Sequence, residues 1–348
     1  MGWGSFSHVT QYPDAGIILA RYLLGNAFHK KALRNPWLSR VLWALDYLLI
    51  RLLQGLLRAL PVEQASRTGN RLGRWLTPLM GRKNDHIRRN LEMAMPDKSA
   101  DEIERMIPAV WGNAGAVLAE YPHLARFANP VSGRIETVIR KPIPIYSDPT
   151  KQAIFVTAHL ANWELVAAAI CNFNVPCLAL YTPPVNPWLD RMLLDSRAAL
   201  GCQLLSRNNN LRPFIKAIEN GCSLAMVMDR TANKGPEIPF FGAPKPSSTL
   251  AARLALRFDC PLVPVQTERL GAGRYRVTFH PPLNVSPSVK NLDDKSFDLT
   301  HQIHRHFEQW IRSAPQDWFC SKKIWRKDIL VPESGKSLHG ESNLKNDR

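Results

Sequence analysis

His159 and Glu164 stand five residues apart, immediately after the short apolar run Ala153-Ile-Phe-Val-Thr-Ala158. The run reads as a buried strand, and Asn162 to Ile170 reads as a helix. That places an imidazole at the carboxyl end of a strand, where open α/β sheets gather their ligands. On one continuous helix the two side chains would point roughly 140° apart. They meet only if His159 lies in the loop and Glu164 about one turn inside the helix. A carboxylate there would fix the tautomer of the imidazole and raise the basicity of its free nitrogen, so that it could take the proton of a hydroxyl. The competing reading is a loop histidine beside an unrelated surface glutamate.

Other strand ends in this half carry polar residues. Leu204-Leu205-Ser206-Arg207 puts a guanidinium after a short apolar run, and Ala225-Met-Val-Met-Asp229-Arg230 passes from strand into an acid–base pair. Singly, Arg207 reads as a surface cation and Asp229 as a helix cap or ion-pair partner. Together with His159 they would line one sheet edge, with the base, cation and carboxylate that acyl or phosphoryl transfer needs. The sequence has no G-x-S-x-G elbow, no Walker loop, no H-E-x-x-H and no G-x-G-x-x-G. A His–Glu dyad without a positioned nucleophile suits direct transfer to an activated hydroxyl, with no covalent intermediate, no metal and no cofactor.

The elements that must position these residues follow from the pattern. Strands expected at 177–181, 223–228, 262–267 and 274–280 alternate with helices at 188–200, 211–219, 247–258 and 297–312. Alternation of this kind gives an α/β fold, a mixed sheet flanked by helices. Residues 1–125 read as a helical N-terminal region, 126–332 as the α/β domain, and 333–348 as a disordered tail. Residues 15–24 are apolar but too short to cross a bilayer. Residues 41–60 are long enough but contain Asp46, Arg51 and Arg58. On a helical wheel Arg40, Tyr47, Arg51, Gln54 and Arg58 share a narrow sector, and leucines fill the rest. The segment reads as membrane-associating: an interfacial helix with its arginines among headgroups, a strained span, or a helix buried in the protein. Ser99-Ala-Asp-Glu102 is a capping signature for a helix over 101–111.

Composition narrows the partners. The 348 residues carry 45 Lys and Arg against 29 Asp and Glu, a formal charge of +16. Fifteen of the basic and six of the acidic residues fall in the first 100. Such an excess favours an anionic partner. Six cysteines without metal-like spacing read as buried thiols in a reducing compartment, and no signal peptide is evident at the N-terminus. The basic positions lack the interleaved aromatics or motifs of a nucleic-acid binder, so none is expected.

His159-x-x-x-x-Glu164, enclosing Asn162-Trp163, resembles the H-x4-[DE] block of the lysophospholipid acyltransferase superfamily. More narrowly it resembles the late acyltransferases of lipid A biosynthesis. Arg88-Arg-Asn-Leu-Glu-Met-Ala-Met-Pro96 is similar to an R-x-N-L-x-x-x-F-P stretch of that family. Trp111-x-Asn113 with Glu120-Tyr-Pro122, Ser206-Arg207, Asp229-Arg230 and Pro239-Phe-Phe-Gly242 with Ser248-Thr249 match later blocks. The segment Pro315–Trp325 keeps the family's aromatics and cations but lacks its histidine. The resemblance implies His159 as general base, Glu164 as its orienter, and substrate contacts at Asn162, Trp163, Arg207, Asp229 and Arg230. It further implies an acyl carrier protein donor, a Kdo-bearing lipid A precursor as anionic acceptor, and the cytoplasmic face of the inner membrane. Lys322, Lys323, Arg326 and Lys327 could bind either substrate. The same dyad would also serve a glycerophospholipid, an ornithine lipid or an acylated mannoside as acceptor.

Overall fold

The computed structural model describes residues 34–206, 212–326, 328 and 329. Residues 15–24, Arg207, Lys327 and the expected tail at 333–348 lie outside them. The first described helix, α1 (Pro36–Arg58), starts where Pro36 fixes the first turn and the Asn35 side chain accepts from the amides of Trp37 and Leu38. Helices α2 (Val62–Trp75) and α3 (Arg82–Ala94) follow. The Ser99–Glu102 capping box opens α4 (Ala100–Glu120), which runs nine residues beyond the expected end and carries Pro108 inside it. No helix of the described residues is long and apolar enough to cross a membrane.

α2 and α4 cross at backbone contact. A Cβ on Gly69 would stand 2.3 Å from the Gly115 carbonyl oxygen, and one on Gly73 only 2.1 Å from that of Trp111. Only glycine permits this approach.

Seven strands form the main sheet in the order β1-β9-β8-β2-β5-β3-β4. They are β1 (Ile135–Ile139), β2 (Ile154–Thr157), β3 (Cys177–Tyr181), β4 (Gln203–Ser206), β5 (Ser223–Val227), β8 (Leu262–Gly271) and β9 (Arg274–Phe279). Every pairing is parallel except β8 with β9, which gives the mixed sheet the alternation implied. Strand β1 and the short helix α5 (Leu124–Ala128) are not among the elements the sequence pattern gives. Helices α6 (Leu165–Cys171), α7 (Pro187–Ala198), α8 (Arg212–Glu219), α9 (Leu250–Phe258) and α10 (Leu292–Ser313) connect or close the sheet.

The core has two layers, and β2 shows why. Ile154 and Val156 belong to one layer with α3, α9 and α10, whereas Ala153 and Phe155 belong to the other with α6. Side chains of a strand alternate between faces, so a strand buried on both faces is apolar throughout. Ile87, Leu91 and Val110 share the first layer with Val156 and Met226, while Val117 and Tyr121 join the second. Helices α3 and α4 are thus packed into the core of the sheet.

A hairpin that the strand pattern does not announce, β6 (Glu237–Phe240) with β7 (Ala243–Pro246), stands beside the main sheet. Its two turn residues, Phe241 and Gly242, both have positive φ, 52° and 74°. A two-residue hairpin turn of this hand demands that at both positions. Phe240 and Phe241 pack on Trp318 and Trp325 of the segment after α10. This segment is pinned by Asn90, whose amide donates to the carbonyls of Cys320 and Lys322. All six cysteines are free thiols.

Candidate active site

Register brings the first two site residues together. β2 and β5 pair in parallel with Thr157 opposite Val227, and the Met228 amide extends the ladder to the Thr157 carbonyl. His159 and Asp229 each lie two residues past these strand ends. They therefore leave the sheet at the same level, on adjacent strands, at its carboxyl edge. His159 Nδ1 stands 2.6 Å from Asp229 Oδ1. A carboxylate can only accept, so Nδ1 carries the proton and Nε2 presents its lone pair. The second oxygen, Oδ2, accepts from the Trp318 indole at 2.9 Å. The buried ammonium of Lys245 donates to the Asp229 carbonyl at 3.0 Å and lies over the Phe240 ring.

The electrostatics suit a base. Burial first, and then the positive charge of Arg230, holds the His159 pKa below its ordinary value against the pull of Asp229. The imidazole is therefore neutral at pH 7. Burial works to raise the Asp229 carboxyl, but the charge and hydrogen bond of His159, with Arg230 and Trp318, hold it well below the carboxylate range. Burial brings the Lys245 ammonium down to about 7. Arg230 is half-buried and close enough to act on both members of the pair, and no hydrogen bond joins it to a described residue. Trp163 puts its ring edge-on to the imidazole, 5.0 Å between centroids, and stacks on Phe319.

Glu164 does not touch His159, and this corrects the expected dyad. α6 starts at Leu165, so Glu164 stands at the N-cap position, without a side-chain capping bond, instead of lying a turn inside the helix. Between the two residues the chain makes a left-handed turn at Ala161, φ 47°. Leu160 forms a bridge with Trp318, and the Ala161 amide donates to the Asp317 carbonyl. These ties hold His159 toward β5 while Glu164 emerges on the far side of the turn. There its carboxylate accepts from the Tyr121 hydroxyl at 2.8 Å and from Arg197 through both oxygens, Nε to Oε2 at 2.7 Å. Burial opposes this carboxylate, and Arg197 outweighs burial to keep its pKa low.

Asn162 likewise turns inward. Its amide donates to Glu120 at 2.8 Å, in a buried cluster where Arg269 bridges Glu120 and Asn113 and Tyr275 reaches Glu120. Asn113 donates on to the carbonyls of Ala161 and Asp317. α4 thereby braces the turn that aims His159. Of the seven residues expected in the site, Asp229 and Trp163 gather at the His159 imidazole, and Arg230 acts on it through its charge. Glu164 and Asn162 support the loop behind it, and Arg207 lies outside the described residues.

The arrangement places a buried, carboxylate-held imidazole with one free nitrogen beside a cation, which is equipment for deprotonating a hydroxyl. Residues 34–327 match the model of the bacterial lipid A biosynthesis acyltransferase family. The chain belongs to this family. It is an O-acyltransferase on that membership. The lipid A biosynthesis acyltransferase of Haemophilus influenzae is 22% identical over 78% of this chain and 86% of the relative. The lipid A biosynthesis palmitoleoyltransferase of Escherichia coli is 24% identical over 80% and 90%. Among solved structures, the 1-acyl-sn-glycerophosphate acyltransferase PlsC of Thermotoga maritima gives a TM-score of 0.33 at 14% identity, over 56% of this chain and 81% of that one.

For a member of this acyltransferase family, the residues that sequence reasoning passes over are instructive. Trp318 belongs to a segment whose aromatics are conspicuous, yet nothing in their spacing points to Asp229. Arg197 lies in the last turn of α7, where a surface arginine is the ordinary reading. Lys245 sits between two prolines in a stretch without periodicity, and its burial depends on a hairpin the pattern does not show.

Proposed function

We propose that this acyltransferase moves a fatty acyl group from acyl carrier protein to a hydroxyl of a Kdo-bearing lipid A precursor, at the cytoplasmic face of the inner membrane. The observation that carries the chemistry is the His159–Asp229 contact with Nε2 left as the free nitrogen. Nε2 takes the proton of the acceptor hydroxyl as its oxygen attacks the thioester carbonyl. Asp229 steadies the imidazolium that forms, and the positive charge of Arg230, which acts on both residues, is assigned to the oxyanion of the tetrahedral intermediate. Collapse breaks the carbon–sulfur bond. The leaving thiolate of the carrier takes the proton back from Nε2, which leaves an ester, a thiol and a neutral histidine. Every bond change is then accounted for by donor, acceptor and one imidazole, without a cofactor.

The setting at a membrane is supported by α1, where Leu48, Leu52 and Leu56 are each at least 60% exposed. A row of outward leucines on a soluble surface is costly, and a bilayer interface relieves that cost. An acidic carrier and a phosphorylated acceptor both suit a chain of charge +16.

The test is reconstitution: purified protein, acyl–acyl carrier protein and the Kdo-bearing precursor in detergent, with product read by mass spectrometry. A mass gain of one acyl chain is expected. No product, under conditions where the Escherichia coli palmitoleoyltransferase works, would overturn the reading.

A further inference from the structure

Helix α1 leaves much of its apolar surface uncovered, although Leu42 and Leu57 are buried. Its leucines at 45, 48, 49, 52, 53 and 56 are exposed, while Tyr47, Arg51 and Arg58 line an open cavity of about 890 Å³. Most of the basic stripe expected among headgroups, Tyr47, Arg51, Gln54 and Arg58, thus borders this cavity. Across the cavity stand Trp188, Arg191 and Asp195 of α7, and Tyr121 belongs to its lining. Leu48 both lines the cavity and is 60% exposed, so the space communicates with the apolar outer face of the helix.

Three guanidinium groups face one carboxylate here, and that carboxylate, Asp195, is engaged with Arg191 at 3.3 Å across an exposed helix turn. The charge is therefore positive. Tyr47 and Trp188 lie with ring centroids 6.2 Å apart and add aromatic surface to a site whose size fits a small-molecule headgroup. At Tyr121 the cavity is one side chain from Glu164, since the phenol that lines it donates to that carboxylate.

We propose that this cavity is a seat for the phosphate-bearing headgroup of an amphiphile, reached from the leucine side of α1, with Arg51, Arg58 and Arg191 as the phosphate contacts. Guanidinium forks match phosphate oxygens two at a time. The apolar face beside the opening accommodates the acyl chains of the same molecule, so one ligand satisfies both surfaces. The seat stands on its own geometry; only the identification of its occupant with the acyl acceptor rests on the reading above.

The test is direct binding, by calorimetry, of dihexanoyl phosphatidic acid, dihexanoyl phosphatidylcholine and inorganic phosphate to the full chain in detergent. Saturable binding of phosphatidic acid is expected, tighter than either of the other two. The double variant Arg51→Gln, Arg191→Gln should weaken it by about tenfold or more, since each charge-assisted contact is worth about that much. Both side chains are on exposed residues, and an unchanged melting temperature checks the fold; Arg58→Gln serves as the replacement if the double variant melts early. Equal affinity for the phosphatidylcholine, or undiminished affinity in a folded variant, would overturn the seat. Inorganic phosphate binding as tightly as phosphatidic acid would overturn the lipid part. Because no acyl transfer occurs in this experiment, a chain that binds phosphatidic acid but acylates nothing would count against the proposed function alone. In the acylation assay the variant should raise KM for the phosphorylated acceptor and spare kcat; an unchanged KM would remove the acceptor from the seat.

Discussion

Asp229 and Glu164 are two buried carboxylates, each drawn close to the same loop, and they are satisfied in opposite ways. Asp229 divides its oxygens between an imidazole and an indole, with a buried ammonium on its own carbonyl and a half-buried arginine nearby. Glu164 is closed by a guanidinium on both oxygens and a phenol on one. The first holds an imidazole, a group that can give and take a proton. The second holds a group that cannot, because arginine stays charged. A histidine and an acid at short sequence spacing need not be partners. Here strand register selects the partner, and the nearer acid becomes the anchor of the loop.

The comparison can be broken most decisively at the imidazole. His159→Ala is expected to lower turnover by about 10³-fold or more with little change in melting temperature; substantial residual rate in the reconstituted assay would remove the base. Next comes the contrast between the two acids. Asp229→Asn should cost about 10³-fold in kcat, since the imidazole loses its tautomer and its counter-charge. Glu164→Gln should lower turnover less than His159→Ala while removing about 3 kcal/mol of stability, because Arg197 is left buried without its anion. Thermal melts beside kcat measurements check both. If Asp229→Asn proved the less harmful for kcat, the assignments would have to be exchanged.

Arg230→Gln sharpens the site further through its pH profile. His159 is active when neutral, and its pKa is held below the ordinary value partly by Arg230. Removing that charge makes the imidazolium easier to form, so the acid limb of kcat should move to higher pH. The smallest effect is expected at Lys245. Its folded value of about 7 lies below its ordinary 10.5, so between those limits the unfolded chain binds the extra proton and stability rises with pH. Lys245→Met should flatten this rise, which is at most about 1.4 kcal/mol per pH unit, in melts at pH 7, 8 and 9.

Much of the frame is legible in the sequence, because it rests on short-range rules. Ser99 and Glu102 announce the start of α4, and the continuous apolar run at 153–158 announces a strand buried on both faces. What fails is whatever depends on partners far along the chain. The Thr157–Val227 register, the indole of Trp318 and the guanidinium of Arg197 carry no local signal. Arg51 and Arg58 were visible as a stripe, yet a helical wheel fixes which residues share a face and leaves open what that face meets.

The strand order also sets a schedule for making the enzyme. β5 intercalates between β2 and β3, so a nascent chain that has produced both must keep them apart until residues 223–227 emerge. Asp229 follows at once, but its indole donor, Trp318, comes 89 residues later. The carboxylate that steadies His159 is thus held on one oxygen alone until the segment carrying Trp318 is made.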